Sequence, residues 1–149
     1  MICGLKKEAV AISNEKLTKE EALNAIIRMA CNAFQLSFEN EIRASILERE
    51  NKLSTGIGLG IAVPHCRIEN IKSQISAILL IPEGIEYNSV DGRPVNLMFL
   101  IISPQNAVRE HIACLSAISL TVSDEETRQN LINSTTGDEL FEKLKSIKY

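Results

Sequence analysis

Apolar side chains recur at helical spacing early in the chain. Leu23, Ile26, Ile27, Ala30 and Phe34 predict an amphipathic helix over roughly 19–35. Thr18-Lys19-Glu20-Glu21 reads as its capping box, with the hydroxyl covering an orphan amide and Glu21 reaching back. Ser37 is placed to cap a second helix that carries Phe38, Ile42 and Ile46 and ends near Glu48-Arg49-Glu50. Gly56, Gly58 and Gly60, at alternate positions, argue against a helix there. Ile61 to Val63 then read as a short strand stopped by Pro64.

Further on, Ile75 to Ile81 and Val95 to Ile102 are continuous apolar runs of strand length, a pattern suited to strands covered on both faces. Pro82-Glu83-Gly84 and Asp91-Gly92-Arg93-Pro94 between them carry turn chemistry. A long helix is predicted from near Ala107 to about Val122, with Ile112, Leu115 and Ile118 at helical spacing. Ser123-Asp124-Glu125-Glu126 and Thr136-Gly137-Asp138-Glu139 look like capping boxes for two short C-terminal helices. Glu8 to Ile12 alternates weakly, so residues 1–17 are read as an edge strand or a loose arm. No repeat or linker divides the chain, and the prediction is one α/β domain over residues 1–149.

Composition narrows the class. Hydrophobic residues make up 45% and charged residues 23%, as in a water-soluble globular domain. Aromatics are 4% with no Trp, so the core must rest on Ile, Leu, Val and Ala. A net charge of −3 with no basic run argues against nucleic-acid binding. No apolar stretch reaches the ~18–20 residues of a membrane span, and Met1 to Lys7 lacks the apolar region of a secretory signal. A cytoplasmic protein without direct membrane insertion is the expectation. The four cysteines, Cys3, Cys31, Cys66 and Cys114, contain no C-x-x-C pair, so reduced thiols are expected. Cys31 and Cys114 fall in apolar helical patterns and read as small core residues. Only Cys66 adjoins a candidate for chemistry.

That candidate is His65, one of two histidines in the chain, the other being His111. On the residues alone, a turn residue with one local hydrogen bond is the favoured reading of His65, and a reactive imidazole is the alternative. A phosphorylated histidine must accommodate about −1.5 to −2 charges and three strong acceptor oxygens. Backbone amides of a Gly-rich turn, a second imidazole or an Arg fork meet that need. The chain contains all three, in Gly56, Gly58 and Gly60, in His111, and in Arg49, with Arg67 as a further cation. Each also has a plainer role: the glycines in close packing, His111 on a helix surface, Arg49 at a helix C-terminus, Arg67 on a rim. Other chemistries fit worse. The third glycine of G-x-G-x-x-G is misplaced, and Pro64 falls where the phosphate-binding helix would begin. G-x-x-x-x-G-K-[ST] is absent. Isolated histidines without an acidic or cysteine cluster make a poor zinc site. A Cys66–histidine protease pair lacks an orienting third group.

Glu50, Ile57-Gly58 and Ile61-Ala62-Val63-Pro64-His65-Cys66 resemble the phosphorylation-site pattern of type 2 enzyme IIA domains of the bacterial phosphoenolpyruvate-dependent phosphotransferase system. This is the fructose, mannitol and nitrogen-regulatory IIA family. Leu47-Glu48-Arg49-Glu50 with the following Ser-Thr-Gly-Ile-Gly, then Gly84-Ile85, Asp91-Gly92 and Pro94-Val95, extend the resemblance from about residue 18 onward. It implies a mixed β-sheet between helices, with His65 as acceptor of a phosphoryl group from the HPr carrier. His111 would support that group by hydrogen bonding and Arg49 by charge. The recipient would be a IIB domain or, in the nitrogen-type branch, a regulatory target protein would respond to the phosphorylation state. No cofactor or metal is implied.

Overall fold

Alternation along two long central strands organises the whole molecule. A computed structural model describes residue 2 and residues 4–148, with β5 at Ile75–Ile85 and β6 at Val95–Pro104 pairing antiparallel. Ala77, Leu79 and Ile81 of β5, with Met98, Leu100 and Ile102 of β6, face one core. Ile78 and Leu80, with Leu97, Phe99 and Ile101, face the other. Because successive side chains point to opposite faces, an unbroken apolar run can belong to two cores at once.

The first core is closed by α1 (Lys19–Phe34) and α2 (Glu39–Lys52), which contribute Leu23, Ile26, Ile27, Ile42 and Ile46. The second is closed by α3 (Val108–Ser123), α4 (Glu125–Ile132) and α5 (Gly137–Ser146), through Cys114, Ile118, Leu131, Leu140 and Leu144. The six-stranded sheet runs β1-β5-β6-β3-β2, with β4 also paired to β6. Here β1 is Leu5–Ile12, β2 Gly56–Gly58, β3 Ile61–Ala62 and β4 His65–Ile68. β1 lies parallel to β5 at one edge, β3 and β4 lie parallel to β6, and the sheet is mixed with helices on both faces.

The Thr18 capping box forms as expected, with both reciprocal bonds to Glu21. Ser37 does not cap α2; Phe38 holds the cap position and makes no side-chain bond. The cap of α4 is Asp124, whose carboxylate accepts from the Thr127 amide, one residue beyond the Ser123 expected. Thr136 caps α5, but Glu139 reaches back to Thr135 rather than to Thr136. Pro82-Glu83-Gly84 does not turn the chain. It lies within β5 where the register shifts, and the Asn96 amide bonds the Ile81 and Pro82 carbonyls there. Cys31 and Cys114 are buried, and Cys3 lies outside the described residues.

Pro64 does not end the strand on a turn, as its sequence suggests: Ala62 pairs with Met98 and His65 with Ile101, so the register along β6 is unchanged across Val63-Pro64. The Pro64 carbonyl still accepts from the Ile101 amide, so the N–H that proline lacks would have faced β6 as well, and the ladder loses one bond between β3 and β4 without a change of register. His65 is therefore the first residue of β4, and among the described residues β6 is the only strand that β4 pairs with.

Candidate functional site

Parity along β4 and β6 decides which side chains can meet. Cys66 packs into the α1/α2 core, so its neighbours His65 and Arg67 belong to the opposite, α3-facing side of the sheet. Ser103, paired in register with Arg67, shares that side. The first turn of α3 then brings His111 over the same spot.

His111 does not occupy the surface. The buried stripe of α3 is His111, Cys114, Ile118 and Val122, whereas Ile112, expected among its apolar positions, is 57% exposed. The helix is rotated so that an imidazole takes a core-facing position. The two imidazole centroids are 5.3 Å apart with the rings tilted by 54°.

Both rings line an open cleft of about 400 Å³, together with Arg49, Lys52, Arg67, Gln105, Val108 and Ile112. Arg49, in the last turn of α2, donates to the Leu53 carbonyl (2.8 Å), and its charge is felt at His65. It therefore both caps its helix and faces the site. Arg67 is tethered to the Gln105 carbonyl (2.8 Å) and lies close enough to His111 to act on its titration. Lys52 is exposed and loosely paired with Glu48 at 3.9 Å. Val108 begins α3, whose N-terminus has no side-chain cap. Its unpaired amides and dipole add to the field favouring an anion here. This uncapped terminus and the buried Ser103 were not anticipated from the sequence.

Hydrogen bonding defines the state of His65. Its Nδ1 lies 2.7 Å from the Val63 carbonyl, which can only accept, so Nδ1 carries the proton and Nε2 the lone pair. Burial lowers the pKa of His65, and Arg49 adds to this against the opposing bond to Val63. Burial, with the charges of His65 and Arg67, lowers His111 to about 4. Both rings are neutral at pH 7, and the site's positive charge comes from the arginines and Lys52.

This has a consequence for stability. A histidine whose folded pKa lies below its unfolded value stabilises the fold above the unfolded pKa, and that stability is lost as pH falls toward the folded one. Stability against urea should therefore decline between about pH 6.5 and about 4, the span of the His111 shift. The decline should be no steeper than about 1.4 kcal/mol per pH unit for each imidazole. In His111→Gln the slope should flatten; an unchanged slope would mean that His111 titrates normally.

The three expected glycines stay out of the cleft. Gly56, Gly58 and Gly60 pack instead against residues 89–96: a Cβ at Gly56 would collide with Ser89, and those at Gly58 and Gly60 would crowd Asp91 and Asn96. Gly58 (φ 94°) and Gly60 (φ 80°) also hold left-handed backbone that other residues resist. The Cys66 thiol is pushed up to about 11 by burial, which leaves it protonated and unreactive. Among the described residues, no three His, Cys, Asp or Glu side chains gather to hold a metal ion, and no helix is long and apolar enough to cross a membrane.

Fold and site together define an α/β domain with paired histidines in a cation-rimmed cleft at the sheet edge. Residues 4–147 match the family model described as "Phosphoenolpyruvate-dependent sugar phosphotransferase system, EIIA 2". The chain belongs to this family. It is 30% identical over 138 residues to the "PTS system fructose-specific EIIABC component" of Bacillus subtilis, covering 93% of this chain but 22% of that protein. It is also 30% identical over 125 residues to a "Nitrogen regulatory protein" of Pseudomonas aeruginosa, covering 84% of this chain and 81% of the relative. The crystal structure of nitrogen regulatory protein IIA-Ntr from Neisseria meningitidis superposes with a TM-score of 0.83 at 27% identity, covering 93% of each chain.

Proposed function

We propose that this chain is the phosphohistidine relay component of a fructose-type sugar phosphotransferase system. It takes a phosphoryl group from an HPr-like carrier onto His65 and passes it to a IIB domain. The observation that carries this reading is the 2.7 Å bond from His65 Nδ1 to the Val63 carbonyl, which leaves Nε2 with its lone pair on a ring lining the cation-rimmed cleft. The N–P bond of the donor breaks as the Nε2–P bond of His65 forms. Positive charge then develops on the ring, and the Val63 carbonyl stabilises it through the retained Nδ1 proton. Arg49, Arg67, His111 and the N-terminus of α3 surround the space where the transferring oxygens would lie, which is the positioning and charge stabilisation that phosphoryl transfer requires. Neither step uses a cofactor or a metal, and the reading places the protein in the cytoplasm beside its carrier.

Incubation with phosphoenolpyruvate, enzyme I and HPr should add one acid-labile phosphate per chain, on Nε2 of His65. Labelling on Nδ1, on another residue, or not at all would overturn this assignment.

A second reading uses the same histidine differently. The near full-length likeness to nitrogen regulatory proteins favours a role in which phosphorylation of His65 controls binding to a target protein. Phosphoryl transfer from the labelled chain to a cysteine of a fructose-type IIB domain supports the relay. Absence of that transfer, with target binding that depends on phosphorylation, supports regulation.

A further inference from the structure

Ser103 is wholly buried in β6, and two side chains meet its hydroxyl. The Gln74 amide nitrogen lies 2.8 Å away and His111 Nδ1 lies 2.7 Å away. Gln74 directly precedes β5, whose antiparallel register with β6 (Ile75 opposite Ile102) sets it beside Ser103. The same amide nitrogen also lies 3.5 Å from the Glu110 carbonyl. That carbonyl can only accept, so the amide presents its NH₂ group to this side. Ser103 therefore receives a hydrogen bond from Gln74, and its own single hydrogen goes to His111 Nδ1. A ring that accepts at Nδ1 carries its proton on Nε2.

We propose that Gln74 and Ser103 are positioning residues that hold His111 in the Nε2–H tautomer, so that it meets a phosphoryl group on His65 as a hydrogen-bond donor. This rests on the phosphohistidine reading of the site. The two imidazoles are thereby set in opposite tautomers by opposite partners. A carbonyl keeps the proton on Nδ1 of His65 and frees Nε2 as nucleophile, while a hydroxyl that must donate keeps the proton on Nε2 of His111. Because His111 is neutral at pH 7, the tautomer decides its role. The other tautomer would present a lone pair to the phosphoryl oxygens and repel them.

Long-range ¹H–¹⁵N spectra of histidine-labelled protein at pH 8 test this directly. Wild type should show a pyrrole-type Nε2 and a pyridine-type Nδ1 for His111. In Gln74→Glu the new carboxylate accepts only, so Ser103 must donate to it and the His111 tautomer should invert. In Ser103→Ala the two tautomers should mix, and phosphoryl transfer should slow about 10²-fold, the lower end of what losing one transition-state donor costs. Ser103→Thr should restore both spectrum and rate. An Nδ1–H tautomer in wild type, or an unchanged tautomer in both Gln74→Glu and Ser103→Ala, would overturn the proposal. So would a mixed tautomer with an undiminished transfer rate. If wild type takes up no phosphate, the phosphohistidine reading fails while the spectra still report on the hydrogen-bond chain.

Discussion

Replacing His65 with alanine should abolish phosphate uptake altogether while leaving the protein folded. His65 is half-buried, on a strand paired to β6, outside both apolar clusters. Its loss removes one hydrogen bond to the Val63 carbonyl and no core packing, so stability should change by no more than about 1 kcal/mol. With the nucleophile gone, no other neutral imidazole lies free in the cleft: His111 Nδ1 is engaged by Ser103, and the ring is buried in the helix–sheet contact. His111→Ala should behave differently. It keeps the nucleophile and loses a single donor, so transfer should slow by roughly 10²–10³-fold without vanishing. It should also cost about 1–3 kcal/mol, because the Ser103 hydroxyl is left without its acceptor inside the sheet. Rapid-quench transfer assays on both variants, with urea melts, separate these outcomes. Residual labelling of His65→Ala would remove His65 from the reaction, and wild-type kinetics in His111→Ala would make His111 a bystander.

The second large effect is expected at Glu50, next to Arg49 on α2. Its carboxylate is 4% exposed and pairs with Lys19 at 2.8 Å. The Thr55 amide also donates to it at 3.0 Å, as do the Thr55 and Tyr87 hydroxyls. Lys19 additionally bonds the Tyr87 carbonyl and lies 4.3 Å over its ring centroid. One buried carboxylate thus joins the start of α1, the end of α2, the entry to β2 and the segment after β5. Burial works to raise the Glu50 pKa, but the bonds from Lys19 and Thr55 together outweigh it and the net shift is downward. The pairing therefore stabilises the fold at neutral pH and is lost as pH drops below the ordinary carboxylate range. Glu50→Ala strands Lys19, Thr55 and Tyr87 without their acceptor. The expected cost is about 3 kcal/mol, the low end for breaking a buried pair, because Lys19 keeps some access to water. That should move the urea midpoint down by ~1–2 M. A midpoint shift below about 0.3 M would show that the network contributes little. Arg49 shares this helix end, so transfer should also slow in the variant even where it remains folded.

These two sites differ in how far the chain revealed them. His65 stood out because histidines are scarce and because the surrounding residues resemble a known phosphorylation site. Arg49 stood out on the same ground, and both line the cleft. Glu50 was visible only as part of that resemblance, since nothing in its local sequence says that a charged residue on α2 will be buried. His111 was legible as the second histidine that the resemblance sets with His65, but the buried face of α3 was not: the stripe through Ile112, Leu115 and Ile118 competes with the one through His111, Cys114 and Ile118. Periodicity alone favours the stripe with more apolar residues, and a buried imidazole in the other stripe breaks that preference. The glycines at 56, 58 and 60 read as a possible phosphate cradle because their backbone freedom suits one. Their actual neighbours, Ser89, Asp91 and Asn96, lie more than thirty residues away along the chain.

What the sequence by itself determined were quantities set by neighbours along the chain. These include the helices and the two central strands, the capping box at Thr18 and the class of fold. Local spacing decides these because hydrogen bonding within a helix and alternation along a strand act over only a few residues. Only the tertiary structure decided the rest. The unbroken register across Pro64, the side of the sheet on which His65, Arg67 and Ser103 emerge, and the rotation of α3 all depend on strand pairing between distant segments. A one-residue change in that pairing would send each side chain to the opposite face. The cleft depends on that parity, and so do the opposite proton placements on its two imidazoles.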